Sequence, residues 1–586
     1  MRVFIQGSTT PIDLTQKDYL AQGGEGTVYV KGKKAFKVYH DPAKMIPQGK
    51  LHELMSIQDP AVIRPQEILM DAKNSIIGYT MPFIDGGYPL CQLFPKSFRD
   101  REGVQPGIVA DLVNKMQRSV DNVHKSGVLI VDLNEMNFLV TKKFNQVYFI
   151  DADSYQTSHY PATAIMDSIR DWTVHGGKWS ELSDWYSFAI LSFQMFTGIH
   201  PFRGKYHGPV VDFKTKLASD ANDDAFAITR RRMVGNISVL HPDVGIPTSA
   251  YPLSVIPQAY RKWYEDLFVN GKRLPPPGNV VVTVTTFVSP TTVTMVGTYI
   301  DFTSVFTGWQ PLGNVTSFFT SPIPNAPPVI ETDAGVYIDK QIIPVAMHRA
   351  QVCGFSPRSG RAVVGVLRDG KLMLANITDR ANVPFDMAVK EASSYNGRIY
   401  VRTEDQIHEV VLTDTGSNVI ASGLAVTNVM PYATRLFSGV AIQSMLGSTY
   451  VSIFVAPGAS HQVRIKELDG HRVTDAKYDH DVMMVVTEHK GKYNRMVFRF
   501  DTDGTYDVRV VTDIAAGYVA NFVTLDTGVC VCIDEEERLE MFSKSKGSTK
   551  VKVVDDKALS ADMTLGKHAG SLIAFKGKDI FKLKMK

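Results

Sequence analysis

The chain has 586 residues, 44% of them hydrophobic and 21% charged, which is too long for one ordinary core and reads as two or more globular domains. Its 63 basic and 60 acidic residues leave a net charge of +3, so overall charge argues for neither nucleic acid nor an anionic membrane as partner. Cys91, Cys353, Cys530 and Cys532 contain no Cys-x-x-Cys pair and read as buried free thiols, which suits a reducing cytoplasm.

The opening residues, MRVFIQGSTTP, hold no apolar run of the kind a signal peptide needs. Tyr19 to Tyr39 reads YLAQGGEGTVYVKGKKAFKVY. Its β-prone runs VYV and AFKVY and its glycines predict a hairpin. No helical period follows, so a dinucleotide-binding crossover is not expected. Gly23, Gly24 and Gly26 would let the backbone approach a phosphate closely. Val28 and Ala35 would offer small apolar faces to a purine, and Lys37 would enter the same cleft as a compact charge for phosphate oxygens. Met45 to Gln58 has helical spacing, Pro47 near its start and one acid, Glu53. Ile63 to Phe83 carries two more strands. Val109, Leu112, Val113, Met116, Val120 and Val123 form one apolar stripe at helical spacing, which predicts a core helix.

Val128 to Gln156 holds two short apolar runs that each end in a carboxylate. The first gives Asp132, with Asn137 five residues on; the second gives Asp151. Such groups are costly if buried unpaired, and suit the lip of a site that binds a cation or a proton. Leu182 to Thr197 and Gln258 to Val269 are further helices. The apolar run Phe188 to Phe196 is too short to span a bilayer. Arg230, Arg231 and Arg232 read as a solvated cluster.

Together these segments resemble a eukaryotic-like protein kinase over about residues 10 to 277. LAQGGEGTVY resembles the Gly-rich loop, AFK the lysine strand, DLNEMN the catalytic loop and IDADSYQ the metal-binding segment. SDWYSFAILSFQMFTGIHPF resembles the core helix with its bracing acid, here Asp184, and LFVNGKRLPP the closing segment with its Arg273. The phrases GGEGTVY, KVYHDP, DLNEMNFLV, IDADSYQ and HPFRG are especially similar to a bacterial and phage branch of atypical serine/threonine kinases.

The resemblance implies Asp132, Lys37 and Asn137 as catalytic residues. Lys37 would bind the α- and β-phosphates of ATP within the Gly23, Gly24 and Gly26 loop, and Glu53 would orient it. Adenine would lie among Val28, Ala35, the Met81 to Phe83 hinge and Leu139, with Mg²⁺ on Asn137 and Asp151. Asp132 would accept or position the substrate hydroxyl. The departures are Ala21 for the first glycine, Ile130 and Val131 for a His-Arg pair, Asn134 for a lysine, Asp153 for a glycine, and no Ala-Pro-Glu before Asp184. Without that Arg, a phosphate on the activation segment has no partner, so activity would not depend on one.

After PPPG at 275–278 helical period vanishes and Val, Thr and Gly dominate. A turn-strand-turn-strand unit then recurs roughly every 40 residues, starting at Gly360, Gly397, Ser438, Asp481, Thr527 and Gly570, and 330–345 would complete a seventh. FDMAV, TDAKY and ADMTL would be inner strands. His471, Asp475, His480 and Asp481 read as solvated turn residues.

The expected fold is α+β and bilobal over 1–277, then a β-rich, Pro-rich linker over 278–330. An all-β domain over 331–586 would follow, a six- or seven-bladed β-propeller of WD40- or kelch-like type, with one or two β-sandwiches as the competing reading. The expected function is a cytoplasmic (host cytoplasm if viral) serine/threonine protein kinase using ATP and Mg²⁺, its propeller recruiting a protein substrate or partner. The alternatives are a nucleotide-binding pseudokinase scaffold, a kinase-fold small-molecule phosphotransferase and a purely structural interaction protein. No nucleic-acid or membrane partner is expected, and oligomeric state is left open.

Overall fold

Among the described residues strands far outnumber helices, and nearly all the helix lies between residues 48 and 268. The computed structural model describes residues 1–22, 25–162, 165–208, 225–247, 250–278, 297–323, 326–338, 340–343, 350–416 and 418–586.

The first unit opens with seven strands: β1 (Arg2–Ile5), β2 (Ile12–Asp13), β3 (Tyr19–Gln22), β4 (Gly26–Lys31), β5 (Lys34–Tyr39), β6 (Glu67–Met70) and β7 (Ile76–Pro82). They form one antiparallel sheet in the order β2-β1-β6-β7-β5-β4-β3. Helix α1 (Gln48–Met55) interrupts them; it starts one residue after Pro47, where the missing N–H costs nothing. Then follow β8 (Tyr88–Pro89), α2 (Lys96–Glu102), α3 (Pro106–Lys125), β9 (Phe138–Val140), β10 (Val147–Phe149), α4 (Glu181–Thr197), α5 (Ala225–Val234) and α6 (Gln258–Phe268).

The apolar stripe of α3 is buried throughout, as its spacing predicts. Helix α4 is apolar nearly all round, and from Ser183 to Thr197 every side chain is buried. Its start is fixed by Ser180, which caps the N–H of Ser183, and its end by Gly198 at φ 78°. A Cβ at Gly198 would lie 2.5 Å from the Phe94 carbonyl oxygen, so that turn admits no side chain. Leucine, valine and aromatic residues of α1, α3, α4, α6, β9 and β10 form one core. Among the described residues, no helix is long and apolar enough to cross a membrane.

The remainder is all β. Six four-stranded antiparallel meanders run over Val315–Ile343, Val352–Val383, Glu391–Asn428, Thr434–Arg464, Arg472–Thr512 and Phe522–Val554. In a seventh sheet, strand Ile300–Ser304 pairs with Asp579–Met585, the last of three strands from the other end of the domain. Neighbouring sheets are tied by polar side chains on or beside their first strands. Asp475 accepts the Ala520 N–H (2.8 Å) and Asp479 that of Thr524 (2.7 Å). Asn521 accepts the N–H of Leu565 (2.9 Å), and Glu391 that of Leu436 (2.8 Å). Asp475 is therefore a clamp between sheets, not the solvated turn residue expected of it.

Each recurring unit forms the middle hairpin of one sheet. The expected linker over 278–330 is corrected in part: Ile300–Ser304 and Val315–Phe319 are strands of the first two sheets in chain order. Their partners lie downstream, so local composition gave no sign of pairing. FDMAV also falls outside a strand, with one bridge from Ala388 to Lys371. All four cysteines are free and buried.

Candidate active site

Strand register builds one wall of the site. Val28 lies opposite Lys37, Lys37 opposite Tyr79, and Ala35 opposite Met81. Directly opposed residues share a face, as do alternate residues of one strand, so these five line the same side of the sheet. Gly26 permits the close approach of β4 to β5: a Cβ there would lie 2.6 Å from the Val38 carbonyl oxygen. Gly23 and Gly24 lie outside the described residues. Past β7, the Phe83 N–H donates to Lys33 O (3.0 Å), and its ring meets Tyr432 of the β domain edge-on, centroids 5.6 Å apart. Leu139 sits half-buried in β9 opposite Tyr148 and Pro89.

Lys37 reaches from this wall to two carboxylates. Its Nζ donates to Asp153 Oδ2 and lies 3.8 Å from Asp151 Oδ1. The Tyr39 hydroxyl donates to the same Asp153 oxygen at 3.0 Å. Burial pulls the Lys37 pKa down, but Asp153 and Asp151 outweigh it and the net shift is upward. Burial pushes Asp153 up, yet Lys37 holds it below its ordinary value. Asp151 is raised, by burial and by the adjacent Asp153, against the pull of Lys37. The structure does not bring Glu53 to Lys37. Its Oε1 pairs with His159 Nδ1 at 2.6 Å.

The opposite wall is the loop after α3. Asp132 Oδ2 accepts Asn134 Nδ2 (2.7 Å) and Asn137 Nδ2 (3.2 Å), while Oδ1 accepts the Met166 N–H (2.8 Å). Burial pushes Asp132 upward against these donors. Asn137 Nδ2 also donates to Asp132 O (3.0 Å), which leaves the amide oxygen as the group it can offer a cation. The Ile150 N–H donates to Asn137 O (2.9 Å) and so sets Asp151, one residue on, beside Asn137. Asp151 and Val131 both adopt left-handed backbone, at φ 65° and 64°. For β-branched Val131 this is strain that surrounding bonds must hold.

Asp184 supplies those bonds. Wholly buried on α4, it accepts the N–H of Ile130 (2.8 Å) and of Val131 (2.9 Å) and pairs with His124 Nε2 (2.9 Å). Asp184→Asn presents one N–H donor to another and should lower stability by about 2 kcal/mol in urea unfolding. Unchanged stability would show that the loop is held elsewhere. Arg273 forms a two-pronged pair with buried Asp171, at 2.6 and 2.8 Å, and stacks over Tyr186. Asp171 thus gives that arginine a carboxylate in a chain without an Ala-Pro-Glu segment.

Among the described residues, no group of three or more His, Cys, Asp or Glu side chains is placed to hold a metal. The donors present are hard oxygens, the Asp151 carboxylate and the Asn137 amide. They suit a small divalent cation that keeps waters and takes phosphate oxygens as further ligands.

No family model matches the chain. A serine/threonine-protein kinase of Arabidopsis thaliana (AtPK1/AtPK6) is 26% identical over 160 residues, which is 26% of this chain and 33% of that protein. A region of the chain is therefore kinase-like in sequence, and the match spans about a third of that relative.

Sequence reasoning noted Asp153 only as a departure and missed it as the partner of Lys37. The available signal was its position, a second carboxylate two residues after Asp151; in the structure Ala152, Asp153 and Ser154 are all buried in one short 3-10 turn.

Proposed function

We propose that residues 1–277 form a two-lobed, protein-kinase-like domain that transfers the γ-phosphoryl of ATP to a serine or threonine hydroxyl. The observation that carries the reading is the constellation of Lys37, Asp153 and Asp151 beside Asp132 and Asn137, on a loop braced by Asp184. ATP would lie with its purine against Val28, Ala35, Met81, Phe83 and Leu139. Its phosphates would meet Lys37 and the Gly26 loop. Asn137 and Asp151 would hold Mg²⁺, which supplies charge neutralisation to the phosphoryl group in flight. Asp132 would orient the attacking hydroxyl and take its proton as the new O–P bond forms and ADP departs. The lysine that usually meets the γ-phosphate is absent at Asn134, so Lys37 is left as the nearer cation on the nucleotide.

The seven four-stranded sheets, tied between neighbours and joined by pairing of Ile300–Ser304 with Asp579–Met585, support the reading of a seven-bladed propeller. Its role would be to recruit the protein substrate or partner.

One observation favours a nucleotide-binding scaffold instead: the Asp132 carboxylate already takes three donors, Met166 N among them. Incubation with Mg²⁺ and γ-labelled ATP separates the two. Label on protein that Lys37→Ala and Asp151→Ala both abolish supports transfer. Thermal stabilisation by nucleotide with no label supports the scaffold.

A further inference from the structure

The loop that carries Asp132 and Asn137 is held from both sides. One hold is Asp184. The other comes from the β domain, through the sheet Arg472–Thr512. Tyr493, 4% exposed, donates its hydroxyl to Glu135 Oε1 at 2.8 Å, and Glu135 is itself 3% exposed. Arg472 Nη1 donates to the Met136 carbonyl oxygen at 3.1 Å. Glu135 and Met136 are the two residues between Asn134 and Asn137, so both bonds land within the loop. The contact is not a polar rim, because Val486, Tyr493 and Ile514 belong to the same buried cluster as α3 and α4.

The hairpin that carries Tyr493 reaches a second part of the site. Its turn residue Gly491 packs so closely on Met166 that a Cβ would come within 2.8 Å of Met166 Cγ. Met166 is the residue whose N–H occupies Asp132 Oδ1. One hairpin of the β domain therefore touches both the loop beneath Asp132 and the segment above it.

We propose that Tyr493 is a positioning residue for phosphoryl transfer, which makes the β domain a structural part of the active site in addition to any recruiting role. The inference rests on the kinase reading. Glu135 is a buried carboxylate, and the Tyr493 hydroxyl is the side-chain donor that meets it. Without that donor the carboxylate must move toward water or another partner, and the loop moves with it. A displacement of about 1 Å at Asp132 misaligns hydroxyl and phosphate, which slows transfer more than it weakens nucleotide binding, because Lys37 and most of the purine-facing residues lie on the opposite wall.

The test uses the full chain. In Tyr493→Phe, assayed well below its lowered melting temperature, kcat should fall about tenfold or more while KM for ATP changes by less than about threefold. Adding Glu135→Met, which leaves no buried acceptor to satisfy, should recover part of the loss. An unchanged kcat in Tyr493→Phe, a fall that tracks the melting temperature, or a double variant worse than Tyr493→Phe would each overturn the proposal. A second readout does not need catalysis. Backbone hydrogen exchange at Met136 and Asn137 should quicken in Tyr493→Phe and in Arg472→Gln, with α4 unaffected; unchanged exchange removes the coupling. A wild-type protein that transfers no label fails the kinase reading, and the exchange result then stands or falls separately.

Discussion

Asp153→Asn should lower kcat/KM for ATP by about 10²-fold, while Glu53→Gln leaves it within about a factor of two. The asymmetry follows from where the charges sit. Lys37 is largely buried, and burial alone pulls its pKa down. Asp153 offsets that with a direct bond to Nζ, and the same oxygen fixes Tyr39. An amide keeps the shape and removes the charge. The ion pair left to Lys37 is then the one with Asp151, at 3.8 Å, a carboxylate the proposed cation would claim. Glu53 instead faces His159, whose side chain is 78% exposed, where a pair is worth little. The measurement is steady-state transfer over a range of ATP concentrations, with melting temperature as a control for folding. Equal losses in the two variants would return the role of lysine partner to Glu53.

The second large effect is on stability. Arg495→Met should cost the β domain about 3–5 kcal/mol, seen as an earlier urea midpoint. Arg495 has a 2% exposed side chain; its Nη2 pairs with Glu540 Oε2 at 2.9 Å, and its Nη1 lies 3.1 Å from Cys532 Sγ. Methionine fills much of the volume but leaves Glu540 buried with Arg509 on its other oxygen, at 2.5 Å, as the remaining pair. Burial pushes Glu540 up, and Arg495 with Arg509 holds it below its ordinary 4.5. A depressed carboxylate contributes stability that is complete above pH 4.5 and lost as pH falls through the lowered value. The wild type should therefore lose stability on acidification over that window, and Arg495→Met should lose less. A variant as stable as the wild type would mean the pair merely offsets its own desolvation.

Local patterns in the chain were legible. The stripe of α3, the helix over Leu182 to Thr197, and the strands around Lys37 each depend on neighbours a few residues away, and the structure has them where spacing predicts. Asp184 was read as a brace, and it meets the loop before Asp132. Pairings between distant residues were not legible. Arg273 finds Asp171, Lys37 finds Asp153, and Tyr493 finds Glu135 across a separation of 358 residues. Nothing in the composition around any of these residues encodes its partner. Strand Val315–Phe319 looked like a loop for a different reason: its surroundings are Pro-rich, and that local signal hid a pairing with the very next strand, Val329–Thr332.

The pairing of Ile300 with Met585 also imposes an order in time. A ribosome adds about 5–20 residues per second, so the strand at 300–304 emerges roughly 15 to 60 s before the strand it must join. Through that interval its free N–H and C=O groups are an open edge for any other strand, its own or a neighbour's. The helical half can finish folding in the meantime, and its finished surface then offers Val486, Tyr493 and Ile514 a place to settle. Slower synthesis lengthens that exposure and should lower the share of chains recovered intact.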